Sequence, residues 1–437
     1  GGFFGALLLA SLSLVTLFRK QWMEHERLTY PVAAALLELT GVSGARGTLA
    51  DLTRSPLFRV GFGLVLFVIA WNILTWFSVT LPRLPVLETR HVPIARGFPS
   101  LRVVVHPMII AFGYFTKSEV LLSIWVFHLL AILQIGIFNR TGFTIGGSDP
   151  WCSLDAAIGW QNFGGMIVFV GWGIWAARAH LKAVALKVFA GKDTVDDSGE
   201  VISYRVCVFA LIGSAVYLLL FLHHAGMSLW PLLAFWLGTF VLYLGLARIM
   251  VESGLVYLRG PITAQAFTWH LFGIAGMGPA SAAALGLSYT FFCDAKTFAI
   301  TTLAHIPRLG TVMSPQRRRL LVPAVIAGCL LGAVAAIGYT VHQGYYTSGS
   351  YNFGASSFNG SGDGAVGIWR LSTNRIQQGT FGTDWMRVQF LGIGVAFTGL
   401  LYYLRYRFPT FPIHPIGFTM SASGFMRNGV VSIFLIW

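Results

Sequence analysis

The sequence is short of charged residues for a chain of its length. Asp, Glu, Lys and Arg make up only 11% of its 437 residues, whereas they make up about 25% of an average soluble domain. Hydrophobic residues account for 55% of the chain. So few charges cannot cover the surface of a large water-soluble protein. The composition therefore indicates a protein that is surrounded by lipid over much of its surface.

Cysteine is scarce as well, and its four copies stand far apart. Cys152, Cys207, Cys293 and Cys329 show no CxxC spacing, so the pattern predicts neither a disulfide framework nor a zinc site. The chain also lacks the HExxH, GxSxG and GxxxxGK(S/T) signatures of metalloproteases, serine hydrolases and P-loop nucleotide hydrolases. We therefore predict a protein that is not an enzyme, with no catalytic residues, no metal site and no cofactor.

Long apolar runs are what the sequence has in abundance. A helix crosses the hydrocarbon core of a bilayer with about 20 predominantly apolar residues. Segments of roughly this length lie at residues 57–80, 118–138, 154–177, 204–222, 229–250, 320–341 and 385–404. They predict an all-α fold, namely a polytopic transmembrane helical bundle.

Both ends of the sequence lie inside apolar runs. The first residues read GGFFGALLLASLSLVTLF and the last read GVVSIFLIW, without an initiator methionine or the basic start of a signal peptide. We expect residues 1–437 to form a single integral membrane domain that is a fragment of a longer chain.

The excess of positive charge is explained by orientation in a membrane. A formal charge of +14 would indicate nucleic-acid binding in a soluble protein, but here the basic residues stand in short segments beside the apolar runs. Such clusters mark cytoplasmic loops. They lie at residues 19–59, 178–205, 317–319 and 405–407. The expected partner is therefore a lipid bilayer, and nucleic acid is not expected.

The predicted orientation also determines where two further segments must lie relative to the membrane. Residues 99–116, which contain Pro99, Pro107 and Gly113, must cross the membrane as a short or broken helix. Residues 342–384, rich in Gly, Ser, Asn, Tyr and Phe, become an extracytoplasmic loop. A loop of this length serves either as a lid over an outer vestibule or as a disordered spacer, and the sequence leaves both open.

A second irregular segment spans residues 260–292. It is rich in Gly, Ala and Ser and is interrupted at Gly278-Pro279. Because both of its flanks are predicted inside, it must enter and leave the membrane as a re-entrant pair of half-helices. Such breaks at membrane depth are tolerated only where protein or a watery cavity covers them, and they point to the substrate site of a transporter. Glycine and proline that merely kink packed helices would give the same pattern.

Ionisable groups within the apolar segments are few, and a charge buried in hydrocarbon is costly enough to make each a functional candidate. The candidates for a proton or substrate site are Glu252, Glu38, His106 and His270, with Gly278 and Pro279 as substrate-site backbone. For an isolated histidine, a satisfied hydrogen bond between helices is the commoner role.

Glu252 is the strongest of these candidates. It follows the apolar run 229–250 and stands just before Gly254, where the helix is expected to end. A carboxylate held away from water at a helix break takes up a proton more readily than a free one. The alternative is a structural bond to a backbone N–H or to an arginine such as Arg248.

One stretch resembles a known family. The charged residues before LTYPVAAALLEL (28–39), together with that segment, resemble the FPSGTA-type helix of the oligopeptide transporter superfamily, which includes the yellow stripe-like metal-chelate transporters. The closer likeness is to an uncharacterised bacterial branch of that superfamily, which implies that the chain lies in a bacterial inner membrane. Three more stretches support the resemblance in the expected order, at residues 106–130, 247–254 and 412–424.

The resemblance implies a sixteen-helix-type fold built from two related halves, and symport of a substrate driven by protons. Tyr30-Pro31 is followed by Val-Ala-Ala in this chain, whereas the characterised members have Pro-Ser-Gly. Their specificity for peptides or metal chelates is therefore not carried over.

Two functions from different classes follow. The first is a proton-coupled secondary transporter of a small organic solute, with peptides and metal chelates among the classes to test. The second is a non-transporting integral subunit that scaffolds a larger membrane complex. Isolation from native membranes separates them, because a stable stoichiometric partner favours the subunit and a monomer or homodimer favours the transporter.

Overall fold

The computed structural model describes residues 2–39, 53–78, 80–85, 88–146, 154–255, 258–292, 299–318, 320–347, 365–421 and 423–437. Nearly all of their regular structure is helical. The first helices are α1 Gly2–Lys20, α2 Pro31–Leu39, α3 Pro56–Leu74, α4 Pro107–Gly113, α5 Ser118–Thr141, α6 Ala156–Ala176, α7 Arg178–Ala190, α8 Tyr204–His224 and α9 Leu229–Ser253. They are followed by α10 Ala264–Phe292, α11 Ala299–Leu303, α12 Ile306–Gly310, α13 Pro315–Arg318, α14 Leu321–His342, α15 Ala365–Gln378, α16 Trp385–Arg407, α17 Pro415–Met420 and α18 Gly424–Ile436.

Short elements of other kinds complete the described part. Strands β1 Arg90–Val92 and β2 Leu101–Val103 pair antiparallel, with Arg90 opposite Val103. One turn of π-helix, Gln21–His25, extends α1, and another, Gln343–Thr347, extends α14.

Among the described residues, eight helices are long and apolar enough to cross a membrane. They are Gly2–His25, Pro56–Leu74, Ser118–Thr141, Tyr204–His224, Leu229–Ser253, Ala264–Tyr289, Leu321–Tyr346 and Trp385–Arg407. Each of the seven predicted apolar runs forms a helix, and six of these helices are among the eight. The exception is α6, in which Gln161 and Asn162 lower the hydropathy. The prediction of an all-α helical membrane protein is thereby confirmed.

The most extensive contact between two described helices is that of α6 with α16. Gly164 of α6 and Gly394 of α16 face the backbone of the other helix, so a Cβ at either position would overlap a carbonyl oxygen there. Small residues permit this close approach of two helices. In contrast, α3 and α14 bury none of their described side chains, as expected of helices that are covered by lipid.

Residues 99–116 do not form the broken helix that was predicted. Their only helix is α4, seven residues long, which covers about 10 Å of the roughly 30 Å hydrocarbon core. The residues before it are extended because Pro107 disfavours helix in the preceding residue and because the run of valines favours a strand.

The same segment nevertheless runs the length of α5. At one end, Asn139 donates a hydrogen bond to the carbonyl of Gly97 (2.7 Å). At the other end, Thr116 lies immediately before the start of α5. Its hydroxyl donates a hydrogen bond to the carbonyl of Ser253, at the end of α9. Along the way the backbone N–H of His106 donates to Ser432 of α18 (2.9 Å). A strand and a short helix, packed against α18, therefore stand where a broken helix was predicted, and the crossing of the membrane by this segment stays a prediction.

The segment α10 is broken at two glycines. Gly273 (φ 62°, ψ 177°) and Gly278 (φ 75°, ψ 166°) have conformations that do not occur in a helix. The side chain of Gln265 donates to Ser288 over 3.1 Å, although a straight helix would hold these residues about 34 Å apart. The segment is therefore a hairpin of two half-helices, as the sequence predicted. Its length and composition are those of a membrane-spanning helix, and it is therefore one of the eight. Because it folds back on itself, it is not one straight helix. Its re-entrant position in a membrane stays a prediction.

The predicted outer loop contains a helix. Within residues 342–384, those at 348–364 lie outside the described residues, and α15 follows them. This helix packs on the second half of the α10 hairpin, where Gly286 meets Trp369 and Ser372. Residues 379–384 then lead into α16. The described part of the segment therefore favours a structured cover over a disordered spacer.

The sidedness of the chain can be tested by labelling. We expect Lys192→Cys, after α7, to be cytoplasmic and Gln378→Cys, at the end of α15, to face the opposite side; both positions are exposed. In a background without the native cysteines, an impermeant maleimide should label Gln378→Cys on intact cells, and Lys192→Cys only after lysis. The reverse pattern would contradict the predicted topology.

Candidate functional site

A polar cavity of about 370 Å³ lies where the end of α9 meets α16 and the start of α17. Its lining residues are Glu26, Leu28, Lys117, Phe169, Trp172, Arg248, Glu252, Tyr402, Arg405, Tyr406 and His414. Another cavity, of about 350 Å³, lies between α1, α8 and α9, but its walls are nearly all leucine, alanine and aromatic side chains. The polar cavity is therefore the one that is suited to proton or ion chemistry.

The carboxylate of Glu252 and the imidazole of His414 form a pair in this cavity. Oε1 of Glu252 lies 3.2 Å from Nε2 of His414, and the two residues are only 6% and 8% exposed. The backbone N–H of Ile416 donates to Nδ1 of His414 (3.2 Å), so a neutral His414 carries its proton on Nε2 and donates it to Glu252. The charge and hydrogen bond of a partner therefore affect the protonation of Glu252, and burial alone does not set it.

Both members of the pair stand at helix ends. Glu252 is in the last turn of α9, which ends at Gly254 in the left-handed conformation (φ 64°). His414 is the N-cap of α17 and precedes Pro415. Proline suits the first turn of a helix, and glycine suits the position after the last one. These local signals place the two ionisable side chains where the helical backbone is interrupted.

The segment before α2 holds the end of α9 in position. Tyr30 donates its backbone N–H to the carbonyl of Val251 (3.0 Å), and the hydroxyl of Thr29 donates to the carbonyl of Glu252 (3.2 Å). Gly254 lies so close to Pro31 that a Cβ there would overlap the proline ring. The proline that starts α2 therefore packs against the helix end that carries Glu252.

Two arginines in the cavity are paired with other carboxylates. Nη2 of Arg248 lies 2.8 Å from Oε2 of Glu26, and Nη2 of Arg405 lies 2.6 Å from Oε2 of Glu119. The alternative role for Glu252, a structural ion pair with Arg248, is therefore not observed. Arg248 adds positive charge near Glu252, but its own ion pair is with Glu26.

A second ionisable cluster lies at the bend of the α10 hairpin. The carbonyl of Phe381 accepts from the N–H of Ile274 (2.7 Å), and the N–H of Asp384 donates to the carbonyl of His270 (2.8 Å). Nδ1 of His270 lies 3.5 Å from Oδ2 of Asp384, and Arg387 also pairs with this carboxylate. Residues 381–384 therefore fasten the hairpin bend to the start of α16.

The charge state of this cluster predicts a pH effect on stability. Desolvation by itself raises the pKa of Asp384, but the contact with His270 and the hydrogen bonds from Arg387 outweigh it and lower the pKa below its usual range. The stabilisation is therefore complete above the ordinary aspartate pKa of about 3.9 and is lost as the pH falls below it. We expect Asp384→Asn to lower the unfolding temperature at pH 6 and to reduce its fall towards pH 3.5.

The control for this measurement is Glu38→Gln, which removes a carboxylate that is exposed at the end of α2. Its unfolding curve in detergent should follow the wild type at every pH. Equal pH profiles of the Asp384→Asn variant and the wild type would contradict a role for this ion pair in fastening the hairpin.

The six residues singled out from the sequence are dispersed. Glu252 lines the polar cavity, whereas His270 and the pair Gly278-Pro279 belong to the α10 hairpin. Glu38 is exposed near the end of a helix that is only nine residues long. His106 is half-buried at the start of α4, while the other end of that helix approaches Ser253. Neither Glu38 nor His106 lines the cavity that contains Glu252.

Sequence reasoning missed four ionisable residues of the cavity, and the histidine among them is the most informative. They are Glu26, Lys117, Arg405 and His414. His414 lies in PIHPIGFTMSASG, a stretch that carried the resemblance but that was not considered as a site. A histidine between two prolines at the start of a helix was the signal available. Its pairing with Glu252 depends on packing between distant parts of the chain.

The comparisons identify the family without assigning an activity. The model of a family of unknown function, DUF6785, matches residues 1–437, so the chain belongs to that family. No curated protein and no solved structure matches it.

Proposed function

We propose that this member of DUF6785 is a proton-coupled secondary transporter of a small organic solute. The observation that carries the proposal is the buried pair of Glu252 and His414, which joins two helix ends at the wall of a cavity. Ionisable residues inside membrane proteins commonly mark proton pathways. The resemblance to oligopeptide transporters supports the same activity, and it makes peptides and metal chelates classes to test.

The pair suits a proton that is taken up and released. With Glu252 ionised, the Nε2–H of His414 and the nearby charges of Arg248 and Lys117 hold the carboxylate. A proton on Glu252 removes its negative charge and weakens these attractions. Because α9 ends after Glu252 and α17 begins after His414, the two helix ends then separate more easily. Loss of the proton restores the attraction.

The α10 hairpin is the second element that we propose to move during transport. Discontinuous helices in transporters expose backbone groups to substrate and permit half-helices to move. The hairpin packs against α9, where Gly238 meets Ala264 and Phe267. Its bend is fastened at Phe381 and Asp384. One helix, α9, therefore contacts the hairpin near its middle and carries Glu252 at its end.

The proposal is tested with the purified chain in liposomes that contain a pH-sensitive dye. Peptides, metal chelates and organic acids are added outside, and acidification of the lumen reports solute and proton entering together. We expect at least one class to acidify protein-containing liposomes and not empty ones. A folded protein that moves no protons with any class would contradict the proposal, and activity of the chain alone would contradict the role of a non-transporting subunit.

A further inference from the structure

We infer that the polar cavity binds the carboxylate of a small organic monoanion with an apolar or aromatic body; its role as a transport substrate rests on the proposed function. The inference concerns the ligand of the cavity, and binding can be measured without any transport.

The arginines of the cavity have unused hydrogen-bond donors. Arg248 uses Nη2 for Glu26, and Arg405 uses Nη2 for Glu119. Nε and Nη1 of Arg248 and Nη1 of Arg405 are buried without a hydrogen-bond partner in the structure as described. A buried donor without a partner is costly, more so when it is charged. These guanidinium groups therefore favour an added acceptor.

A carboxylate is well matched to these donors. A guanidinium group presents parallel N–H bonds that a carboxylate accepts in pairs. Nη1 of Arg248 lies against Gly173 of α6, so this guanidinium group must turn to present its free donors to a ligand. Lys117 is exposed at the cavity, and no ion pair holds its ammonium group among the described residues. It supplies a further positive charge to a ligand that enters.

The charge balance of the lining favours a monoanion over a dianion. The lining has three cationic side chains, Lys117, Arg248 and Arg405, and two carboxylates, Glu26 and Glu252. Glu119, the ion-pair partner of Arg405, adds a third carboxylate beside the lining. With His414 neutral these charges balance, and one positive charge is in excess once Glu252 is protonated. A carboxylate monoanion neutralises that excess, whereas a phosphate dianion would leave a net negative charge beside Glu26 and Glu119.

The remaining walls accommodate an apolar or aromatic body. Phe169, Trp172, Tyr402 and Tyr406 line the cavity, and the rings of Trp172 and Tyr402 stack with centroids 5.1 Å apart. Aromatic walls favour an apolar or aromatic ligand. A volume of about 370 Å³ lies within the range of small-molecule sites, about 300 to 1,000 Å³.

The same charge balance couples the anion to a proton. Protonation of Glu252 raises the excess positive charge by one unit and so favours the anion, and by linkage the bound anion favours protonation. The other titratable or charged groups around Glu252 are Glu26, Lys117, Glu119, Arg248, Tyr402, Arg405, Tyr406 and His414. Symport of one proton with one monoanion then transfers no net charge.

Calorimetry with the purified wild-type protein tests the inference with defined probes. Phenylacetate and hexanoate are the monoanions, phenylacetamide is the neutral counterpart, phenethylamine is the cation, and inorganic phosphate is the competing anion. We expect saturable binding of a monoanion, with the amide at least about tenfold weaker, as expected for loss of charge-assisted hydrogen bonds. Phenethylamine and phosphate should not compete.

The location is tested by two variants that lose the same charge. Arg405→Gln should weaken monoanion binding by about tenfold, whereas Arg407→Gln should leave it unchanged, because Arg407 is exposed and does not line the cavity. Equal effects of the two variants would overturn the location. Equal affinity for the amide, competition by phosphate, or no binding of either monoanion to the folded wild type would overturn the ligand assignment.

The outcome is independent of the transport assay. Monoanion binding without solute-driven proton movement would support the ligand assignment and contradict the proposed function. Proton movement with peptides or chelates, combined with no monoanion binding, would overturn the ligand assignment and leave the proposed function intact.

Discussion

The Glu252→Gln variant is expected to fold normally and to lose proton-driven uptake, while it retains exchange of substrate across the membrane. Glutamine keeps the size of the side chain and can still accept a hydrogen bond from Nε2 of His414, which lies 3.2 Å from Oε1 in the wild type. It cannot take up or release a proton, so a pH gradient no longer drives accumulation. Uptake should fall to the level that is measured without a gradient.

The measurement compares uptake in proteoliposomes with and without an imposed pH gradient, over a range of external pH. Glu38→Gln is the matched control, because it makes the same change at an exposed carboxylate outside the cavity. Wild-type uptake with unchanged pH dependence in the Glu252→Gln variant would show that the Glu252–His414 pair is only structural.

The Gly273→Ala variant should have the largest effect on stability. Gly273 has a positive φ that L-residues rarely adopt, and a Cβ there would overlap the backbone of Phe381 and Gly382. The backbone strain costs about 1–3 kcal/mol, and forcing the neighbouring segment away adds about 1–3 kcal/mol. We expect a lower unfolding temperature in detergent and loss of transport, because the hairpin bend no longer fits against residues 381–382.

The Gly278→Ala variant distinguishes the cost of backbone strain from the cost of steric overlap. Gly278 also has a positive φ, but a Cβ there would have no atom within 4 Å. This variant should therefore show the cost of strain alone, about 1–3 kcal/mol, and a smaller fall in the unfolding temperature. Equal stability of the two variants would contradict the close packing of the hairpin bend against Gly382.

Features that depend on neighbouring residues could be predicted from the sequence. The seven apolar runs all form helices, since length and hydropathy along a single segment decide whether it can bury its backbone in lipid. The hairpin within residues 260–292 was predicted for a similar reason: Gly278-Pro279 interrupts a helix through local geometry. Even there, the break at Gly273 was missed, because a glycine can also occupy an ordinary helical position.

Residues 99–116 show where local reasoning failed. The sequence indicated that the chain must pass from one side to the other, and the segment does run the length of α5. It does so as a strand and a short helix because α18 lies beside it, where the hydroxyl of Ser432 accepts a hydrogen bond from the N–H of His106 and donates one to the carbonyl of Val104. Protein, rather than the helical backbone itself, satisfies the polar groups, and packing of this kind depends on residues far away in the chain.

The candidate site likewise combines a residue that the sequence indicated with one that only packing revealed. Glu252 could be recognised from the sequence, because a carboxylate at the end of an apolar helix is rare and a glycine follows it. Its partner could not, since Glu252 and His414 meet only after α9 and α17 have packed, and the prolines around His414 gave no sign of a neighbour. Nor could the exposure of Glu38 be predicted, because it depends on which parts of the chain pack around α2. The sequence by itself determined that the long apolar segments are helical and that the segment 260–292 is interrupted at Gly278-Pro279. Only the tertiary structure decided which charges meet, because an ion pair depends on a distance of a few ångströms between parts of the chain that no local pattern relates.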